Sequence, residues 1–352
     1  MLIYNVKYCN FIYDIIFRGL ILTIMDNNIT GIECKKSFLT LRDFSREAIE
    51  SLVDFSIELK ASKVKKEHRH HLKNKNIALI FEKNSTRTRC ALEIACLDEG
   101  ANAIFLDKNA IQMGDKESVK DTARVLGRMF DAICFRGYKN DTLNTLYKYS
   151  NIPVINALTD DEHPTQIIAD FMTIKERFGR LSELKLVYVG DGRNNVANTL
   201  LIAGPKVALN VTICSPNTLF PNVNLLDYSK NIAKNSGSSI EVTDSIDDAI
   251  KGASIVYTDV WVSMGEESKP EIKERIKQLK PYQVNRELMN KANKESIFLH
   301  CLPATHKNGI HYMEVTEEVF EASNSLVFEQ AENRLHSIKS ILVSTVGGVN
   351  HL

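Results

Sequence analysis

The chain has 352 residues, 44% of them hydrophobic and 25% charged, proportions that suit a soluble globular protein of about two domains. Lysine plus arginine and aspartate plus glutamate both total 44, so no basic excess recruits nucleic acid and no acidic tail is present. The seven cysteines form an odd set without Cys-x-x-Cys spacing, which argues against a disulfide framework or a structural zinc site and for a reducing, cytoplasmic compartment.

In chain order, Phe11–Ile24 is largely apolar but carries Asp14 and Arg18. Two charges in so short a run argue against a membrane span, which needs about 20 mostly apolar residues. No small-residue cleavage site is clear either. Residues 1–25 are therefore expected to be an extension outside the fold, with a weak membrane or targeting segment as the alternative. Arg46–Lys60 repeats apolar residues at helical spacing (Ile49, Leu52, Val53, Phe55, Leu59). The run 61–75 is basic and histidine-rich, and reads as a solvated helix end rather than a metal site, because no Asp or Cys accompanies the histidines. A buried strand at 77–81 leads to a helix at 88–99. Short strands follow at Ala103–Leu106, Ala132–Phe135 and Val154–Asn156, with a helix at Ser118–Met129.

His163–Phe178 reads as a long helix bridging to a second unit. That unit opens on the strand Lys185–Gly190 and continues with strands at Val211–Cys214, Ile255–Thr258 and Ile297–Leu299. Asn333–Thr345 closes the chain as an amphipathic helix. Alternating strands and helices imply parallel sheets covered on both faces. The fold class expected is α/β: two doubly wound parallel-sheet domains joined by helices, with the active site in the cleft between them.

The most informative segment is Phe81-Glu82-Lys83-Asn84-Ser85-Thr86-Arg87-Thr88-Arg89. A strand feeding a helix N-terminus presents free backbone N–H groups and the positive end of the helix dipole, which suits an anion. Hydroxyl donors and a guanidinium fork complete a phosphate cradle. Asn84-Ser85-Thr86 is formally a glycosylation sequon, but a glycan there would block this site. Four further segments fall at the carboxyl ends of expected strands, where α/β sites form: Phe135-Arg136-Gly137-Tyr138, His163-Pro164-Thr165-Gln166, Asp259 through Gly265, and His300-Cys301-Leu302-Pro303-Ala304. Each alone has an ordinary structural explanation, such as a helix cap or a core cysteine. Five together do not.

With these five segments in view, the chain resembles the aspartate/ornithine carbamoyltransferase family from about Phe38 to Thr345. Ser-Thr-Arg-Thr-Arg at 85–89 and His-Pro-Thr-Gln at 163–166 are similar to that family's carbamoyl phosphate signatures. Asp259 with Ser263-Met264-Gly265, and His300-Cys301-Leu302-Pro303, resemble those of its ornithine-using branch.

The resemblance implies transfer of a carbamoyl group from carbamoyl phosphate to the side-chain amine of L-ornithine, reversibly giving L-citrulline and phosphate. Ser85, Thr86, Arg87 and Thr88 would hold the phosphate. Arg136, His163 and Gln166 would contact the carbamoyl group, with Arg334 nearby. Gln112 would reach a neighbouring subunit's site, which makes a homotrimer or a multiple of trimers. Asn195, Asp259, Ser263 and Met264 would bind the α-amino and α-carboxyl groups of ornithine, and Cys301 with the Leu302 carbonyl would lie near its side-chain amine. Arg136, His163, Cys301 and Arg87 are the implied catalytic set. The implied domains are 26–165 for carbamoyl phosphate, with helix 333–350 packing back on it, and 166–332 for ornithine. Neither metal nor cofactor is implied, and no membrane or nucleic-acid partner.

Putrescine is the rival acceptor within the family, but it lacks the carboxylate that the 263–265 loop is expected to clamp. Gly190-Asp191-Gly192 resembles a dinucleotide turn, yet Asn195 stands where the third glycine should fall. A non-catalytic scaffold is the remaining alternative. Cys301 adjoins His300, and adjacent residues on a strand face opposite ways, so the pair is poorly placed as nucleophile and base. Thr305 and the short stretch 306–312 depart from the close relatives beside the expected amino-acid site.

Overall fold

The structure, a computed structural model, describes residues 37–352 apart from 68, 110, 263, 264, 267, 308 and 350. The expectations for residues 1–25, for Ser263 and for Met264 fall outside the described residues. Ser37–Leu352 forms one compact unit.

The elements in chain order are α1 (Arg46–Val64), β1 (Asn76–Phe81), α2 (Arg87–Asp98), β2 (Asn102–Asp107), α3 (Val119–Leu126), β3 (Ala132–Arg136), α4 (Asn140–Ser150) and β4 (Val154–Leu158). The bridging helix α5 (Pro164–Phe178) leads to β5 (Lys185–Val189), α6 (Asn195–Ala203), β6 (Asn210–Cys214), α7 (Val223–Ser236), β7 (Ile240–Thr243), α8 (Ile246–Ile250) and β8 (Ile255–Thr258). Then come α9 (Ile272–Leu279), α10 (Arg286–Lys291), β9 (Ile297–His300), the hairpin β10 (His306–Lys307) and β11 (Ile310–His311), α11 (Glu317–Phe320) and α12 (Val327–Val346).

The first sheet has strand order β2-β1-β3-β4 and the second β7-β6-β5-β8-β9. Every strand pair in both is parallel. The residues Ile77–Phe81 of β1 are all buried, as a central strand covered by helices on both faces requires. Phe38 adds a short parallel bridge on the β4 side, its N–H donating to Val154 O at 2.9 Å.

Helix α5 is buried from Pro164 through Ile174. Proline at its first turn has no N–H to leave unpaired, and Gly179 closes it in the left-handed region at φ +74, where glycine carries no Cβ penalty. One core cluster runs from Ile77, Leu79 and Ile155 of the first sheet through Phe171 and Met172 of α5 to Leu186 and Tyr188 of the second, and takes in Ile341 and Leu342 of α12. The chain end therefore returns to α5, α1 and α2. Burying one such Ile, Leu or Phe side chain contributes about 1.5–3 kcal/mol.

Three elements differ from expectation. β7 carries no sequence signal: it is a four-residue edge strand with only Ile240 buried, too little alternation to register as a pattern. α12 starts at Val327 rather than Asn333. The basic run is not simply solvated, since His71 Nδ1 lies 2.9 Å from Glu99 Oε2, and Glu99 is buried.

Candidate active site

Each sheet has one place where the chain's progression reverses. From β1 it moves to β2 on one side and β3 on the other; from β5 it moves to β6 on one side and β8 on the other. Crevices open at the carboxyl ends of strands flanking such points, and ligands bind there. The segments after β1 and β3 are 82–88 and 137–138; those after β5 and β8 are 190–195 and 259–262. All four segments, the first through Lys83 alone, line a cavity of about 920 Å³ together with Cys301–His306.

On the first-sheet side, α2 begins at Arg87 with no side-chain cap from Thr86; Ser85 Oγ accepts from Thr88 N at 3.1 Å. The first turn thus has its Thr88 N–H taken by Ser85, while the positive end of the helix dipole still favours an anion there. Thr88 Oγ1 receives Arg334 Nη2 at 3.2 Å and Arg136 Nη1 at 3.5 Å. Arg334 Nη1 donates to Gln166 Oε1 at 2.7 Å and approaches His163 Nε2 at 3.5 Å. The Nε atoms of Arg136 and Arg334 are buried without a partner among the described residues. Burial lowers the Arg136 pKa to about 10, helped by the charge of Arg334, so the guanidinium is still charged at neutral pH. Burial pushes His163 well below the usual imidazole range, and Arg334, Arg136, Arg87 and Lys83 push it further. The ring is neutral.

On the second-sheet side, Asp259 directly follows the strand β8 and is 6% exposed. Burial raises its carboxyl to about 6, against His300, the Val260 N–H and the Asn194 side chain. Asn195, at the first position of α6, donates its amide to Thr159 O at 2.8 Å and lines the cavity with Asp259, Cys301 and Leu302. The Cys301 thiol lies 3.5 Å from Gln166 Oε1. Burial, then Asp259, drives its pKa well above the ordinary thiol value, so it is a thiol and not a thiolate. His300 turns Nε2 to Glu314 Oε1 at 3.1 Å, away from Cys301, as strand alternation demands.

Arg136, His163, Asn195, Asp259, Cys301 and Leu302 therefore come together at the cavity wall, with Thr88, Gln166 and Arg334 one hydrogen-bond layer behind. Ser85 adjoins Thr88; Thr86 is exposed. Burial lowers the Arg87 pKa, and the Asp259 carboxylate offsets part of that. Gln112 is not brought to this cavity: it is exposed on the 111–117 loop, where its carbonyl accepts from Asp115 and Glu117 N–H groups at 3.2 and 3.0 Å.

Sequence reasoning missed several members. Lys83, 6% exposed, pairs with Asp160 and stands 4.4 Å from the Tyr138 ring centre; its position directly after β1 was the available signal. Asp170 lies one helical turn from Gln166, a spacing that puts both on one face. Glu314, buried and accepting the Thr305 N–H at 2.6 Å, had no signal.

Two family models match the chain: "Aspartate/ornithine carbamoyltransferase, carbamoyl-P binding domain" over residues 36–176 and "Aspartate/ornithine carbamoyltransferase, Asp/Orn binding domain" over residues 182–345. The chain is 52% identical over 327 residues to "Ornithine carbamoyltransferase, catabolic" of Streptococcus agalactiae, covering 89% of this chain and 96% of that protein. It is 53% identical over 324 residues to the protein of the same name from Borreliella afzelii, covering 89% and 98%. Among solved structures, ornithine carbamoyltransferase from Pyrococcus furiosus is similar with a TM-score of 0.84 and 40% identity, over 90% of this chain and 98% of that one.

Proposed function

The chain belongs to the aspartate/ornithine carbamoyltransferase family, and from that premise we propose that it transfers the carbamoyl group of carbamoyl phosphate to the side-chain amine of L-ornithine, giving L-citrulline and phosphate. The observation that carries this reading is the shared cleft. The Arg136 guanidinium and the neutral His163 imidazole face the Asp259 carboxylate and the Cys301 thiol across one cavity, with Arg334 bonded to Gln166 and Thr88 behind that wall.

In this reading Ser85, Thr86, Arg87 and Thr88 hold the phosphate, with the first turn of α2 behind them. Arg136 and His163 donate to the carbamoyl oxygen, Gln166 meets the carbamoyl nitrogen, and Arg334 braces the group. Asp259 takes the α-ammonium of ornithine, with Asn195, Ser263 and Met264 completing the amino-acid grip; Cys301 and the Leu302 carbonyl orient the side-chain amine. The uncharged amine attacks the carbonyl carbon and its lone pair becomes the new C–N bond. The C–O bond to phosphate breaks, its electrons leave with the phosphate, and the amine's proton passes to phosphate or solvent. Donors aimed at the carbonyl oxygen stabilise the charge that develops there, each contributing about 3–4 kcal/mol. The proposed donor domain is 26–165, described from residue 37 on and with α12 packed on it, and the proposed acceptor domain is 166–332.

Assembly as a homotrimer, or a multiple of trimers, is part of the proposal. Gln112 is exposed and does not line its own cavity, which leaves its side chain available to a neighbouring subunit. Leu97, Ile104, Val125 and Met129 are exposed at 44–69%, apolar surface that a subunit contact would cover. Among the described residues no helix is long and apolar enough to cross a membrane, and a cytoplasmic location is proposed from the cysteine usage. The same residues serve citrulline synthesis or its phosphorolysis.

The test is stoichiometry. Full-length protein given carbamoyl phosphate and ornithine is expected to release phosphate and citrulline one for one, whereas phosphate without citrulline would mean hydrolysis and overturn the reading. Mixing Gln112→Ala with Arg136→Ala protein should restore activity if sites are shared between subunits.

A further inference from the structure

Behind Gln166 lies a buried polar cluster that takes no part in the chemistry just described. The Asp170 side chain is fully buried. Its Oδ1 accepts from Gln166 Nε2 at 2.8 Å and from Gln330 Nε2 at 2.7 Å, and its Oδ2 accepts from the Tyr257 hydroxyl at 3.0 Å. All three of these partners are uncharged, and they come from α5, β8 and α12. An ionised carboxylate only accepts, so each amide facing it must turn its nitrogen inward. Gln330 has an independent reason to do so, since its Oε1 accepts the His300 N–H at 2.9 Å.

For Gln166 the consequence reaches the cleft. With Nε2 committed to Asp170, Oε1 is the end left to face Arg334 and Cys301, at 2.7 and 3.5 Å. We propose that Asp170 is a positioning residue that fixes the polarity of the Gln166 amide, so that an acceptor rather than a donor meets the amino group of the carbamoyl donor and distinguishes it from an acyl phosphate bearing a methyl there. The inference rests on the reading that Gln166 meets the carbamoyl nitrogen. A swung or flipped amide would offer N–H to N–H and lose that preference, whereas a methyl group is indifferent to either orientation. Burying a carboxylate is costly unless it is hydrogen-bonded, and here three uncharged donors meet it.

The experiment compares the KM for carbamoyl phosphate with the inhibition constant of acetyl phosphate on full-length protein. Both constants are independent of the fraction of active enzyme, so a less stable variant does not distort their ratio. Asp170→Leu is expected to narrow the ratio about tenfold, the worth of one hydrogen bond of this kind. Asp170→Asn, which keeps an acceptor at Oδ1, should restore most of it, and Asp170→Leu added to Gln166→Leu should narrow it no further. A purely structural role would weaken both ligands alike and leave the ratio unchanged. An unchanged ratio in Asp170→Leu alongside a narrowed one in Gln166→Leu overturns the proposal and leaves the role of Gln166 standing. An unchanged ratio in Gln166→Leu removes that role and the proposal with it. Should Asp170→Leu fail to fold, Asp170→Ala serves in its place: a narrowed ratio supports the positioning role and an unchanged one overturns it.

Discussion

Arg334 Nη1 donates to Gln166 Oε1 over 2.7 Å, between residues 168 positions apart. The contact exists because α12 returns across the whole chain to pack on α5. The C-terminal helix thus supplies Arg334 to the cluster proposed to hold the carbamoyl group, besides bracing α5. Arg334→Met keeps the stem and removes the fork. Steady-state kinetics should show kcat/KM for carbamoyl phosphate falling by about 10²–10³, the usual loss of one such donor; a loss under about fivefold would remove Arg334 from the site.

Cys301→Ser should keep measurable turnover with a raised KM for ornithine, because the half-buried thiol is protonated and its proposed role is to orient the amine, not to attack. Intact-mass analysis during turnover should find no carbamoyl adduct. Complete loss of activity, or an adduct, would favour covalent catalysis instead.

The pH dependence follows from two groups. Burial raises Asp259 to about 6, so the free enzyme carries the carboxylate above that pH and loses it below. The KM for ornithine should therefore rise about tenfold per pH unit on going below 6. The attacking amine has a pKa near that of lysine, about 10.4, and freeing it at pH 7.4 costs about 4 kcal/mol. Turnover should accordingly climb toward pH ~8–9. A turnover profile flat from pH 6 to 9 would contradict the amine step, and a KM for ornithine unchanged between pH 6 and 5 would contradict the Asp259 step.

Glu314 anchors the chain leading into the β10–β11 hairpin through Thr305 N–H and holds His300. Burial raises its pKa, but the hydrogen bond and charge of His300 outweigh that and hold it below the usual carboxylate value. Its stabilising contribution is then present above the unfolded value near 4.5 and lost as pH falls through the folded one. Glu314→Ala strands two buried donors. Denaturant unfolding should show a loss of about 3–5 kcal/mol, with KM for ornithine raised through the loosened 301–305 segment; a loss below about 1 kcal/mol would deny the anchor.

Much of this was legible because parallel strands buried on both faces read as unbroken apolar runs. Ile77–Phe81 and Leu186–Val189 therefore stand out, and the polar segments directly after them mark the crevice. Arg136, His163, Asp259 and Cys301 sit where the strand ends place them. What stays hidden depends on long-range packing. Asp170 and Gln330 look like ordinary polar helix positions until α5, β8 and α12 are brought together. Glu314 lies in a loop whose pattern says nothing of burial. His71 reads as solvated because Glu99, its partner, belongs to the far end of another helix.

The most direct measurement offers ornithine, putrescine and aspartate in parallel, with carbamoyl phosphate, to full-length protein and to protein starting at Met25. Citrulline from ornithine, with no product from the other two, is the predicted result for both. Carbamoylation of putrescine would keep the cradle at 85–89 and contradict the amino-acid role of Asp259 and the 263–265 loop. No product from any amine would contradict the central claim that this cleft transfers a carbamoyl group.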